Sequence, residues 1–147
     1  MVKLYTDGSC ITTKRCGGWG AIAVENDRKI VEICGGDSDT TNNIMELLAV
    51  IRALQTVQRL KITARPHIVT DSKYVMTGIE KWISKWIENN WLTSQKKPVK
   101  NKKLWQKLYK LVMQTNAAFE WVKGHSGHPM NEEADRLANQ SAQLVRS

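Results

Sequence analysis

A chain of 147 residues, 41% hydrophobic and 24% charged, can bury about two-thirds of the surface its unfolded form exposes, so residues 1–147 read as a single domain. Three cysteines, an odd number with no Cys-x-x-Cys pair, argue against a disulfide scaffold and fit a reducing cytoplasm, and no apolar run approaches the roughly 20 residues of a membrane span. Twenty-two Lys and Arg against fourteen Asp and Glu leave a net charge of +8, a balance that suits a polyanionic partner.

The chain opens on Leu4-Tyr5-Thr6-Asp7-Gly8-Ser9, a short strand that ends on a carboxylate. Asp-Gly is also an ordinary turn dipeptide, which is the bland alternative for Asp7. Cys10 to Arg15 reads as a loop, and Gly17-Gly18 relaunches the chain into Trp19 to Val24. Asn26-Asp27 makes a hairpin turn into Lys29 to Cys34, with Gly35-Gly36-Asp37 closing three successive antiparallel strands. Thr40-Thr41-Asn42-Asn43 is a polar start signal for a long helix carrying Ile44, Leu47, Leu48, Ile51 and Leu54 at helical spacing. Asn43 with Glu46 three residues later has the form of a capping box, yet Glu46, Val50 and Ala53 also share one helical row that could face a sheet. Pro66 to Thr70 is a short buried strand, and Asp71 follows where a helix starts; it can serve as an N-cap or sit where open α/β sheets place their chemistry.

Helical turns through Trp82 and Trp86 come next, with Trp86 expected in the core and Trp82 the more exposed. A break follows at Asn89-Asn90, then a polar loop from Thr93 to Lys103, and a helix with Leu104, Leu108, Leu111 and Val112 on one stripe. The window from Lys81 to Lys110 holds nine lysines and four of the six tryptophans. Such interleaving can contact phosphates and stack on sugars or bases. Ala117 to Val122 is the fifth strand, and the loop Lys123-Gly124-His125-Ser126-Gly127-His128-Pro129 leads into a helix from about Met130. Asp135 lies early in that helix, where the macrodipole alone favours an acid. Ala134, Ala138 and Ala142 leave one side of this helix small enough to approach a sheet closely.

Asp7, Glu46, Asp71 and Asp135 each stand at the end of an apolar element. If they converge, they form a hard oxygen donor set suited to Mg²⁺ or Mn²⁺; zinc is a poor match without a thiolate or histidine cluster. Clustered acids repel one another unless a cation is present, and a metal pair about 3.5–4 Å apart would supply phosphodiester hydrolysis.

Thr6-Asp7-Gly8-Ser9-Cys10, Thr40 to Asn43 with Met45-Glu46, Thr70-Asp71-Ser72, Lys96 to Asn101, and Trp121 to His125 through Asn131-Glu132 to Asp135 together resemble the type 1 ribonuclease H (RNase HI) family, in order and over nearly the whole chain. The resemblance implies an α/β RNase H-like fold, with a five-stranded mixed sheet (three antiparallel, then two parallel strands), flanking helices and a basic protrusion. It further implies Mg²⁺-dependent endonucleolytic cleavage of the RNA strand of RNA/DNA hybrids, leaving 5′-phosphate and 3′-hydroxyl ends; a monomer is the default expectation, and a strand starting just after Met1 with a helix running almost to Ser147 is expected of a freestanding protein. By position, Asp7, Glu46, Asp71 and Asp135 become the metal-binding acids and His125 an aid to proton transfer or product departure. Asn42 and the backbone near Cys10 would contact RNA 2′-hydroxyls, Thr41 and Asn101 a DNA phosphate, and Trp82, Lys100 and Trp105 the DNA-strand groove. Three positions depart from the family pattern: Thr13 stands where an Asn often contacts substrate, Lys73 replaces a Gln or Asn, and Asp39 takes the place of an Arg. Direct phosphate attraction by Lys14, Arg15 and Lys73 is expected to make up part of the difference.

Overall fold

The computed structural model describes residues 1–124 and 128–146; His125, expected in the chemistry, lies outside the described residues. Strands β1 (Val2–Ile11), β2 (Cys16–Glu25) and β3 (Arg28–Asp37) precede helix α1 (Asn42–Arg59). Strand β4 (Pro66–Thr70) leads into α2 (Lys73–Thr77), a π-helical turn (Gly78–Trp82) and α3 (Ile83–Glu88). Helix α4 (Lys102–Thr115), strand β5 (Ala118–Trp121) and α5 (Pro129–Arg146) complete the chain. The five strands form one sheet in the order β3-β2-β1-β4-β5. The first three pair antiparallel, while β4 pairs parallel with both β1 and β5. This is the mixed sheet expected from the family resemblance.

The strands run further than local pattern predicts. β1 continues past Asp7 to Ile11, so Cys10 lies in a strand opposite Gly17 rather than in a loop. β3 extends through Gly35-Gly36 to Asp37 because Gly17 and Gly18 of β2 pair with them. Cross-strand hydrogen bonding thus overrides the weak strand preference of glycine. The β2–β3 turn is as expected: Asn26 and Asp27 both have positive φ, 51° and 65°, the conformation a two-residue hairpin loop demands.

Alternation along β1 divides the core. Val2 and Leu4 face α1 and α4, packing with Leu47, Ile51, Leu54, Ile68, Trp105 and Leu108. Tyr5 faces the other way, joining Ile22, Val69, Ala134 and Leu137 under α5. On that second side the helix sits very close to β2. A Cβ on Gly18 would lie 2.5 Å from the amide nitrogen of Ala142 and 2.7 Å from Ser141 Cβ, and one on Gly20 would lie 2.7 Å from the carbonyl oxygen of Ala134. The small face of α5 and the glycines of β2 are therefore one interlocking surface, which sets how far Asp135 stands from the sheet.

The protrusion is built on aromatic packing. Trp82 and Trp86 are both half-buried, with ring centroids 5.8 Å apart, and Trp86 also meets Trp91 at 6.0 Å and Trp105 at 5.4 Å. Most of the surrounding lysines, including Lys96, Lys97 and Lys100, are exposed. No helix among the described residues is long and apolar enough to cross a membrane.

Candidate active site

The sheet register itself brings two acids together. Thr6 of β1 lies opposite Thr70 of the parallel strand β4, so the next residues, Asp7 within β1 and Asp71 just past the end of β4, stand side by side on neighbours that run about 4.8 Å apart. β1 is also where the sheet changes from antiparallel to parallel pairing, the kind of strand-end crevice that α/β sheets use for ligands.

Helix α1 supplies the third carboxylate. Thr41 caps it, its hydroxyl accepting a hydrogen bond from the Ile44 amide at 3.2 Å, so the capping-box arrangement of Asn43 and Glu46 is not used. Glu46 turns toward the strand end and accepts a hydrogen bond from the Gly8 amide. Gly8 makes room for this: a Cβ there would sit 2.5 Å from the Met45 carbonyl carbon. Glu46, Val50 and Ala53 are all buried, as a sheet-facing row requires. Asp71 is likewise released from capping, because Ser72 does that work and accepts from the Val75 amide at 3.1 Å. Gly124 approaches Asp71 closely enough that a Cβ would lie 2.9 Å from its Oδ2.

Ligand oxygens of Asp7, Glu46 and Asp71 all lie within 4.8 Å of one another. Asp135 comes from α5 on the opposite side of the sheet and hydrogen-bonds Asp7. All four line one cleft of about 380 Å³, together with Asn42, Asn43, Ser72, Lys73 and Tyr74. A larger cleft of about 680 Å³ runs along α5 and shares Asp135, with no second acid among the described residues that line it.

Burial dominates the electrostatics. Asp7 is pushed up to about 11 from 3.8, first by burial, then by the Glu46 charge, its hydrogen bond to Asp135 and the Asp71 charge. Glu46 is pushed up to about 7 from 4.5, again first by burial, with hydrogen bonds from Asp7, the Gly8 amide and Ser72 pulling the other way. A divalent cation would displace the protons that burial and mutual repulsion hold on these carboxyls and stabilise their ionised forms. The donor set is carboxylate only, matching hard ions of the Mg²⁺ and Mn²⁺ kind, so the residues present fit such an ion.

The substrate candidates fall into three groups. At the hairpin beside α1, Cys10 is half-buried with its thiol 3.6 Å from the Thr40 carbonyl, Thr13 and Lys14 are exposed, and Arg15 pairs with Asp39 at 2.9 Å. At the cleft, Asn42 is exposed at the helix start, and the Lys73 ammonium lies 5.6 Å from the centroid of the Trp121 ring. Around the protrusion, Trp82 is half-buried, Lys100 is exposed and Asn101 donates to the Tyr74 hydroxyl at 3.1 Å. Trp105 corrects the expectation: it is fully buried, because α4 turns that side of the helix into the core, so it backs the groove and presents no surface to it. Sequence reasoning missed Tyr74 and Trp121. Tyr74 lies three residues after Asp71 at a helix start, a spacing that shares a face; Trp121 donates its indole N–H to the Asp71 carbonyl at 3.1 Å, a link no local pattern signals.

Comparison with known proteins agrees with this geometry. The RNase H family model matches residues 1–143. The chain belongs to the ribonuclease H family. It is 48% identical over 139 residues to ribonuclease HI of Caulobacter vibrioides, covering 95% of this chain and 91% of that one. It is 49% identical over 138 residues to ribonuclease H of Alcanivorax borkumensis, covering 94% and 89%. Among solved structures, LC9-RNase H1, a type 1 RNase H, matches this ribonuclease H with a TM-score of 0.87 and 28% identity over 98% of this chain and 72% of that one. LC11-RNase H1, solved in complex with an RNA/DNA hybrid, shares the fold over the full length of both chains, with a TM-score of 0.79 and 21% identity.

Proposed function

We propose that this ribonuclease H hydrolyses the RNA strand of RNA/DNA hybrids as a Mg²⁺-dependent endonuclease, leaving 5′-phosphate and 3′-hydroxyl ends, with Mn²⁺ as a substitute ion. The observation that carries this reading is the meeting of Asp7, Glu46, Asp71 and Asp135 at one cleft in a chain whose net charge is +8. A basic nucleic-acid binder without chemistry would gain by losing acids beside phosphate, so a purely hybrid-reading module is the weaker alternative.

Asp7, Glu46, Asp71 and Asp135 would hold the ions, which when bound supply a hydroxide-like water at neutral pH and charge relief for the leaving oxygen. The chain does the positioning. The Gly8 amide and Ser72 orient the Glu46 carboxylate, and Asp135 and Asp7 brace each other across the strand end. Asn42, which lines the cleft, and the Cys10 backbone would contact the RNA 2′-hydroxyls, the group that distinguishes RNA from DNA. Thr41 and Asn101 would hold a phosphate of the DNA strand, with Trp82 and Lys100 along its groove. Lys14, Arg15 and Lys73 would add attraction to the backbone, with Thr13 at the hairpin tip, and His125 would assist proton transfer or product departure. We take the working unit to be a cytoplasmic monomer formed by the one domain.

The test is cleavage of labelled RNA/DNA hybrid, duplex RNA, duplex DNA and single-stranded RNA, with Mg²⁺ or EDTA, by the parent and by Asp71→Asn. Cutting confined to the hybrid's RNA strand, dependent on Mg²⁺ and lost in Asp71→Asn, is the expected result. Hybrid binding without cleavage under either ion would leave a reader in place of an enzyme.

A further inference from the structure

Trp121 is the exposed member of the six tryptophans, with 42% of its surface open, and it stands beside Asp71 and Lys73, which line the acidic cleft. The register of β5 puts it there. Trp121 lies opposite Thr70 of the parallel strand β4, next to the chain that leaves β4 through Asp71 and Ser72 to Lys73. Its indole N–H donates to the Asp71 carbonyl at 3.1 Å; an indole nitrogen can only donate, so this bond restrains how the ring is turned. The Lys73 ammonium then lies 5.6 Å from the ring centroid, within the roughly 6 Å at which an aromatic face attracts a cation.

Where that ammonium does not go is as informative. Lys73 lines the same cleft as Asp7, Glu46, Asp71 and Asp135, on a flexible four-carbon stem. Buried carboxylates such as Asp7 and Glu46 attract a cation more strongly than an exposed ring does, because less solvent screens them. Among the described residues, however, Lys73 forms no ion pair. An ammonium drawn in among the acids would supply the positive charge that a divalent cation brings, and would compete with it for the same oxygens.

We infer that Trp121 is a positioning residue that holds the Lys73 ammonium at the rim and so keeps the four-acid cleft open to a divalent cation. The inference rests on the reading of that cleft as the ion site, and adds a device that protects the site from the chain's own cation. The need for it is local to this sequence, which sets a lysine two residues after Asp71. A ring suits the task better than another carboxylate, because it holds the ammonium through its face without adding negative charge to a cluster already crowded with it. The bond to the Asp71 carbonyl serves the same end, since it keeps that face turned to Lys73.

The experiment measures Mg²⁺ affinity by titration calorimetry, without nucleic acid, at neutral pH and fixed ionic strength. The proteins are the parent, Trp121→Leu, Trp121→Phe, Lys73→Gln and the Trp121→Leu/Lys73→Gln double variant, each checked for folding by circular dichroism, with Trp121→Thr in place of leucine should that variant not fold. Trp121→Leu should bind Mg²⁺ about 2- to 5-fold more weakly than the parent, the range that a cation–π contact at an exposed site controls. Trp121→Phe keeps a ring face and loses the N–H, and should stay close to the parent. In the Lys73→Gln background, Trp121→Leu should leave the affinity unaltered, a non-additivity expected when the two side chains act together. Equal losses with and without Lys73, shared by Trp121→Phe, would overturn the inference and would mean that the indole N–H serves Asp71 directly. An unchanged affinity in Trp121→Leu would overturn it too. Both results leave the ion site standing, whereas a parent that takes up no Mg²⁺ would overturn the inference and the ion reading together.

Discussion

Replacing Asp7 by Asn should stabilise the protein without metal and destroy its response to metal. In the fold, the Asp7 carboxyl is pushed up to about 11, so at neutral pH the native state retains a proton that the unfolded chain has lost. A raised acid binds more protons when folded, so its contribution to stability falls as pH rises above the ordinary value of 3.8. Each pH unit between 3.8 and 7 removes about 1.4 kcal/mol, which amounts to about 4 kcal/mol at neutrality. Asn carries no such proton and is spared this loss. Urea denaturation in EDTA should therefore show Asp7→Asn more stable than the parent at pH 7, with the gap closing toward pH 4. Mg²⁺ should reverse the order at pH 7, since the parent gains RT ln(1 + [Mg²⁺]/Kd) and the variant gains little. An Asp7→Asn protein no more stable than the parent in EDTA at pH 7 would refute the view that repulsion and burial strain this cluster.

Further substitutions probe the parts that hold the site. Gly18→Ala drives a methyl group into the backbone of α5, and overpacking of this kind should cost about 1–3 kcal/mol, read as a melting-temperature drop of ~2–4 °C per kcal/mol, with activity reduced at temperatures where the variant is fully folded because Asp135 is displaced. Trp105→Ala should cost about 3–5 kcal/mol in denaturant titration; a folded, stable variant defective only in hybrid affinity would restore the groove-lining role that burial denies it. Lys73→Gln should weaken hybrid binding across sequences and flatten the slope of log K against log salt by about one phosphate contact, whereas an unchanged slope would mean that the ammonium serves only the Trp121 ring.

The four acids were legible in the sequence as carboxylates set in or beside apolar elements, although only Asp71 stands just past a strand end: Asp7 lies within β1, and Glu46 and Asp135 lie in the second turns of α1 and α5. The ordinary alternatives could be separated only in three dimensions: Thr41 and Ser72 take the capping roles open to Glu46 and Asp71, and this is visible only once the hydroxyls are seen to accept from Ile44 and Val75. The lengths of β1 and β3 were underread because Cys10, Gly35 and Gly36 owe their extended backbone to partners across the sheet rather than to their own preferences. Trp105 was placed in the groove by its position in the family pattern, whereas α4 turns it inward with Leu108 and Leu111. Its bond to Tyr74 joins residues thirty-one positions apart, beyond the reach of any local pattern.

The order of the four acids along the chain has a consequence for synthesis. Asp7, Glu46 and Asp71 belong to the sheet and first helix, whereas Asp135 arrives on α5, the last element, which must still close over the glycines of β2. At about 5–20 residues per second, a growing chain spends several seconds between the third carboxylate and the fourth. During that interval it carries an open sheet face and an incomplete set of ligands. A nuclease made on an RNA template thus finishes its own active site last.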